Sequence, residues 1–259
     1  MVLRAILCLL LLVLPARAAE RDVDLELILA VDVSRSMDSD EQKLQRDGYV
    51  AAFRHADVVD AIMSGLHGRI AVTYIEWAGP TMQKIVQPWT VIDSAAAANQ
   101  FADTLAAAPI SYYHGTSISS GLLFAAPAFA ANDFTSPRQV IDISGDGPNN
   151  MGSPAPGARD QLVQAGITIN GLPIMLKRPS GFASIEHLDI YYEDCVIGGH
   201  GAFIVPVQDI GKIAQAIRRK LVLEIAGRPP VFISAAAASR PPRIDCQIGE
   251  RQRQRWMDP

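Results

Sequence analysis

The sequence is short of the side chains that bind soft metals or do redox work: it has three cysteines and five histidines in 259 residues. The histidines (His55, His67, His114, His187 and His200) show no His-x-x-x-His spacing and the cysteines no Cys-x-x-Cys, which argues against zinc. There is no Gly-x-x-x-x-Gly-Lys-Ser/Thr run, so a phosphate-cradling loop is excluded. Gly115-Thr-Ser-Ile-Ser119 misses the Gly-x-Ser-x-Gly nucleophile elbow, because Ser119 stands where the last glycine is needed; Ser117 then reads as a helix cap. An aspartyl-phosphate phosphatase places a second Asp two residues beyond the first, and after Asp32 that position is Ser34. A basic surplus is also lacking: 23 Lys and Arg face 27 Asp and Glu, which argues against a nucleic-acid partner. No 20-to-50-residue repeat is visible, and past the amino terminus no apolar run is long enough to span a bilayer.

The amino terminus itself has the layout of a secretory signal. Arg4 precedes the apolar run Ala5 to Leu14, and Pro15-Ala-Arg-Ala-Ala19 supplies an Ala-x-Ala site, so cleavage is expected near Ala18 or Ala19. The mature chain would be periplasmic or secreted, with no transmembrane anchor. Losing Arg4 and Arg17 leaves 21 bases against 27 acids, a net charge near −6. Loss of Cys8 leaves Cys195 and Cys246, and an even pair in an exported chain is expected to form a disulfide.

The remaining chain alternates strand and helix signals. Leu25 to Val33 is a nearly continuous apolar run, as in a central parallel strand covered on both faces. Ser39-Asp-Glu-Gln42 reads as a capping box, with Ser39 as cap and Gln42 reaching back. The helix it opens runs towards Leu66 and breaks near Asp57. Arg69 to Ala78 and Met82 to Trp89 read as a hairpin across Gly79-Pro80, and Ser94 opens a helix through Leu105. A helix after Gly121 must kink or stop at Pro127. Arg138 to Ile143, Ile167 to Met175 and Gly201 to Val207 read as strands, and Ile210 to Ile225 as a closing amphipathic helix. The expected fold is α/β: doubly wound, a mainly parallel sheet with an antiparallel edge strand and helices on both faces. The expected organisation is a signal at 1–19, one domain at 20–226 and a Pro- and Arg-rich tail at 227–259, held back through Cys246.

Three turns carry oxygen ligands. Asp32-Val-Ser-Arg-Ser36 ends the first strand, Gly115-Thr116 opens a helix, and Gly145-Asp146-Gly147 follows another strand. Carboxylates and neutral hydroxyls are hard donors suited to Mg²⁺, with Mn²⁺ or Ca²⁺ as alternatives. In order and spacing these turns resemble the metal-ion-dependent adhesion site of von Willebrand factor type A domains, over roughly Leu25 to Ile225. More narrowly, Glu76-Trp-Ala-Gly79, Ser144-Gly-Asp-Gly-Pro-Asn-Asn150 and Asp194-Cys-Val-Ile-Gly-Gly199 resemble a bacterial exported family of unknown function built on that domain. The resemblance implies that the Ser34 and Ser36 hydroxyls bind the ion directly. Asp32 and Asp146 would act directly or through water, and Thr116 would enter or leave the shell. It further implies a Rossmann-type fold, no catalysis, and a protein partner whose acidic side chain completes the shell. A metal-dependent periplasmic hydrolase and a structural domain with a stabilising ion are the alternatives. Two features depart from the family pattern: Ser117, Ser119 and Ser120 crowd the second turn, and Pro127 interrupts the following helix. Asn149 and Asn150 are expected to brace the third turn, and Glu76 to be solvated or paired with a base at the sheet edge.

Overall fold

Among the described residues seven strands form: β1 (Arg21–Asp22), β2 (Glu26–Asp32), β3 (Ile70–Trp77), β4 (Gln83–Ile92), β5 (Phe134–Thr135), β6 (Gln139–Gly145) and β7 (Thr168–Pro173). The main sheet has the order β4-β3-β2-β6-β7, parallel except for β4, which pairs antiparallel with β3 at one edge. The expected sheet, hairpin and edge strand are all present. The computed structural model describes residues 21–176, 183–227 and 243–257. The expected signal at 1–19 and residues 228–242 of the tail lie outside the described residues.

Strand side chains alternate between faces, and both faces are covered. Leu27, Leu29 and Val31 pack with Tyr49, Phe53, Phe101 and Leu221, from helices α1 (Ser39–Phe53), α3 (Ala95–Ala107) and α8 (Ile213–Ala226). The short α2 (Ala56–Met63) contributes Val58 and Ile62 to the same layer. Ile28 and Ala30 face the other way, with Ile118, Leu122, Leu162 and Tyr191. These come from α4 (Ile118–Ala125), α6 (Ala155–Gln164) and α7 (Leu188–Tyr191).

Local differences from expectation have physical causes. The capping box is shifted by one residue. Asp38 is the cap, its carboxylate accepting from the Asp40 and Glu41 amides, while Glu41 accepts from the Asp38 N–H at 2.9 Å. Gln42 instead donates to the Ser34 carbonyl at 3.1 Å, tying α1 to the first turn. Asp38→Ala should therefore cost about 1 kcal/mol of stability, and Ser39→Ala no more than about 0.5 kcal/mol, both read from urea midpoints. The first helix breaks at Arg54, and His55 caps α2. Pro127 divides the following helix into α4 and α5 (Pro127–Ala130), since proline cannot donate to the helical ladder.

The expected strand at 201–207 is not a ladder strand. It makes isolated bridges, Ile204 to Gly171 of β7 and Val207 to Ile174 just past it, and Pro206 between them has no N–H to continue a ladder. Tyr192–Val196 form a π-helical turn that carries Cys195. The tail is not featureless: it contains α9 (Ile248–Met257).

Candidate metal centre

Strand order determines where the turns meet. β2 and β6 are adjacent and parallel, with Val31 opposite Ser144, so Asp32 and Asp146 emerge side by side from the carboxyl ends of the two strands. The order of strand addition reverses at this pair, β3 and β4 lying to one side and β7 to the other, and open α/β sheets bind ligands at such crevices. The second turn joins through backbone bonds: Tyr113 N–H donates to the Val33 carbonyl, and Arg35 N–H donates to the Tyr113 carbonyl at 2.8 Å.

The sequence-predicted residues Asp32, Ser34, Ser36, Thr116 and Asp146 are brought together. The Ser34 and Ser36 hydroxyls lie 2.6 Å apart, and Ser36 donates to Asp146 Oδ1 at 2.5 Å. Thr116 Oγ1 is 3.4 Å from Ser34 Oγ. Asp32 Oδ1 accepts the Ser34 N–H at 2.7 Å, while its Oδ2 is buried and has no partner among the described residues. Asp32, Ser34 and Thr116 are buried, whereas Ser36 and Asp146 are only partly covered, so the cluster opens on their side. The other serines of the second turn face elsewhere. Ser117 caps α4, accepting from the Ser120 N–H, and Ser119 lies against Asn149.

Several side chains hold the turns in place. Asn150 Oδ1 accepts the Thr116 N–H at 3.1 Å, and the Asn150 N–H returns to the Thr116 carbonyl at 2.9 Å. Asn149 Oδ1 accepts from the Ser119 amide, and its Nδ2 donates to the Met151 and Ser153 carbonyls and to Glu250. The asparagine pair thus locks the third turn onto the second as well as bracing it. Gly145 has to be glycine: a Cβ there would lie 2.9 Å from both Asp32 Oδ2 and the Tyr192 hydroxyl. Tyr192 was not legible as a site neighbour, because a π-helical turn about fifty residues downstream delivers it beneath the rim.

Electrostatics single out this cluster. Burial first, and the Asp146 carboxylate second, hold the Asp32 carboxyl well above the usual range. Burial and the same two acids also raise the Tyr192 hydroxyl. A hard dication would reverse this penalty and give the orphaned Asp32 oxygen a partner. Two carboxylates and three neutral hydroxyls fit such an ion, and no group of three or more His, Cys, Asp or Glu side chains suited to a metal occurs among the described residues.

Glu76 is a separate matter. It is fully buried rather than solvated, paired with Arg46, whose guanidinium also reaches the Tyr74 hydroxyl and the Leu105 and Ala108 carbonyls. Of the two expectations, solvation or pairing with a base, the pairing is the one that forms, on a strand one in from the sheet edge. Cys195 and Cys246 form the expected disulfide.

The fold is that of von Willebrand factor A domains. The chain is similar to proximal thread matrix protein 1 from the mussel byssus with a zinc-occupied MIDAS motif: 16% identity, TM-score 0.55, covering 81% of this chain and 49% of that one. It is similar to the pilus adhesin SpaC from Lactobacillus rhamnosus GG, at 13% identity and TM-score 0.59, covering 82% of this chain and 32% of that one. It is also similar to a von Willebrand factor type A protein from Catenulispora acidiphila, at 16% identity and TM-score 0.54, covering 79% and 43%. The chain thus spans about half or less of the length of these structures. No curated protein matches it. The chain belongs to the family described as "Protein of unknown function (DUF1194)", matched over residues 22–229.

Proposed function

We propose that this chain is an exported, Mg²⁺-dependent binding module that recognises a partner protein through an acidic side chain. The observation that carries the reading is the convergence of Asp32, Ser34, Ser36, Thr116 and Asp146 around a buried carboxylate oxygen with no protein partner. Ser34 and Ser36 would hold the ion through their hydroxyls, with Asp32 and Asp146 neutralising its charge and Thr116 adjoining. Supplied mostly with neutral oxygens, the bound ion would remain electrophilic and favour a carboxylate from outside. The zinc-occupied MIDAS motif of the mussel protein and the adhesin fold of SpaC support a divalent ion and a binding role. No helix of the described residues is long and apolar enough to cross a membrane. Cleavage near Ala18 or Ala19 and residence in the periplasm or outside the cell complete the proposal, and the Cys195–Cys246 disulfide supports an oxidising compartment.

The test is a thermal melt with and without Mg²⁺. At an Mg²⁺ concentration about 100 times the dissociation constant, the wild-type protein should gain about 2.7 kcal/mol. Asp146→Ala, at a partly exposed position, should fold and lose that gain. Affinity capture from the native cell envelope should yield proteins with Mg²⁺ that EDTA removes. Equal capture in both buffers sinks the recognition model, and Mg²⁺ stabilisation without capture leaves only the structural ion.

A further inference from the structure

Beside the second turn lies a groove of about 350 Å³ between His114, Gly115 and Met151 on one wall and Arg253, Trp256 and Met257 of α9 on the other. Gly115 directly precedes Thr116, so the groove abuts the metal rim. α9 is fixed there from several directions. The disulfide anchors Cys246 just ahead of it, and Glu250 accepts from Asn149 at 2.7 Å. Gly249 sits so close to the Asn149 carbonyl and Pro148 that a Cβ there has no room. The helix is therefore built against the turns, yet it leaves Trp256 67% and Met257 62% exposed. Tyr112 and Tyr113, which directly precede His114, are also exposed, with Arg35 stacked over Tyr112 at 5.1 Å. Trp, Tyr and Arg are the side-chain types that dominate protein-binding energetics.

Resting on the adhesion-site reading, we infer that this groove is a second subsite of the same interface. It takes a large apolar side chain from an extended partner segment whose nearby Asp or Glu reaches the ion. Charge complementarity favours this occupant. Among the described residues no acidic side chain lines the groove, and a bound dication would add positive charge at its end. An acidic, apolar segment meets a complementary surface at both points; an acidic segment without the apolar residue meets only one. At about 3.3 Å per residue an extended chain covers the groove's mouth within two to four residues, so both determinants fit one short peptide.

The experiment is selection from a displayed random-peptide library on the intact disulfide-bonded protein in Mg²⁺, with EDTA elution. Eluted peptides should pair an Asp or Glu with an aromatic or large aliphatic residue two to four positions away. Trp256→Ala and Met257→Ala, both at exposed sites, should each weaken a selected synthetic peptide about tenfold or more while its EDTA sensitivity persists. EDTA-sensitive peptides with an acid but no apolar partner, unaffected by Trp256→Ala, overturn the groove and leave the adhesion reading standing. If EDTA elutes no peptides, the adhesion reading fails and the groove with it. Metal-independent binding to anionic vesicles that Trp256→Ala removes would give the groove to a lipid surface. Mg²⁺-dependent self-association that Trp256→Ala removes would give it to a second copy. Either result overturns the assignment to a partner peptide.

Discussion

Lys220→Met should destabilise the protein by about 3–5 kcal/mol at pH 7.5 and above, the usual cost of removing one partner from a buried ion cluster. Lys220 comes from α8 and is fully buried. It pairs with Asp142 of β6 at 2.5 Å and with Glu224 one helical turn on. Asn170 of β7 donates to the same Glu224 oxygen at 3.0 Å, and its own Oδ1 accepts the Phe203 N–H. One cation thus serves two buried carboxylates. Burial, and then the Asp142 charge, push Glu224 up to about 7 against the opposing pull of Lys220. Around neutrality the cluster therefore holds on to a proton.

The sign of the pH dependence follows. A carboxyl whose folded pKa lies above its unfolded value of 4.5 binds more protons in the native state between the two. Stability from this group is full below about pH 4.5 and falls as pH rises through about 7, by roughly 3 kcal/mol in total. Removing Lys220 should push both carboxyls further towards the neutral form. The gap between mutant and wild type should therefore be smallest near pH 5 and widest above pH 8. Urea midpoints at pH 5, 7 and 8.5 measure it. Lys220→Met/Asp142→Leu/Glu224→Gln, which removes the cation and both of its carboxylates, should recover most of the loss, because the replacement leaves no stranded charge and keeps an amide oxygen for Asn170. A loss independent of pH would mean that packing of the lysine stem, not its charge, is what matters.

Which parts of this architecture could be read from the sequence depended on how local their causes are. The buried run at Leu25 to Val33, the Gly79-Pro80 hairpin and the break at Pro127 follow from neighbouring residues, and all appear in the fold. The three turns were legible because their chemistry is short-range even though their meeting is not. Strand order then joins them, placing β2 beside β6. The capping box slipped by one residue because Asp38-Ser39 and Glu41-Gln42 offer two nearly equal registers. The choice is made by Gln42, whose amide is engaged by the Ser34 carbonyl. Burial of Glu76 was illegible for a related reason. Its partner Arg46 lies thirty residues back on α1, and only packing of α1 over the sheet brings the two together. Tyr192 and α9 reach the rim through a π-helical turn and a disulfide, two features without a local periodic signature.

The disulfide should be the other large contributor, and Cys195→Ser/Cys246→Ser is expected to lower stability by about 4 kcal/mol. The bridge closes a loop with a sequence separation of 51, and the chain-entropy cost of leaving such a loop open sets that figure. Both cysteines are replaced so that neither leaves a reactive thiol. Cys195 is buried among Tyr191, Tyr192 and Val196, so its end of the bridge is part of the core. Cys246 introduces α9, and among the described residues of the segment Ile244, Cys246 and Ile248 pack on that core. Without the bridge, the segment keeps those contacts, the Glu250–Asn149 bond and the pairs of the exposed Arg243 with Glu193 and Asp194, non-covalent attachments of modest strength. Hydrogen exchange should therefore show α9 amides losing protection before those of β2 and β6, as expected of a peripheral cooperative unit. The consequence reaches the metal rim, because Asn149 donates to Glu250 with the same amide group that holds the Met151 and Ser153 carbonyls. Should the double variant lose less than about 1 kcal/mol with α9 still protected, packing alone would be holding the helix, and the chain-entropy account of the bridge would fail.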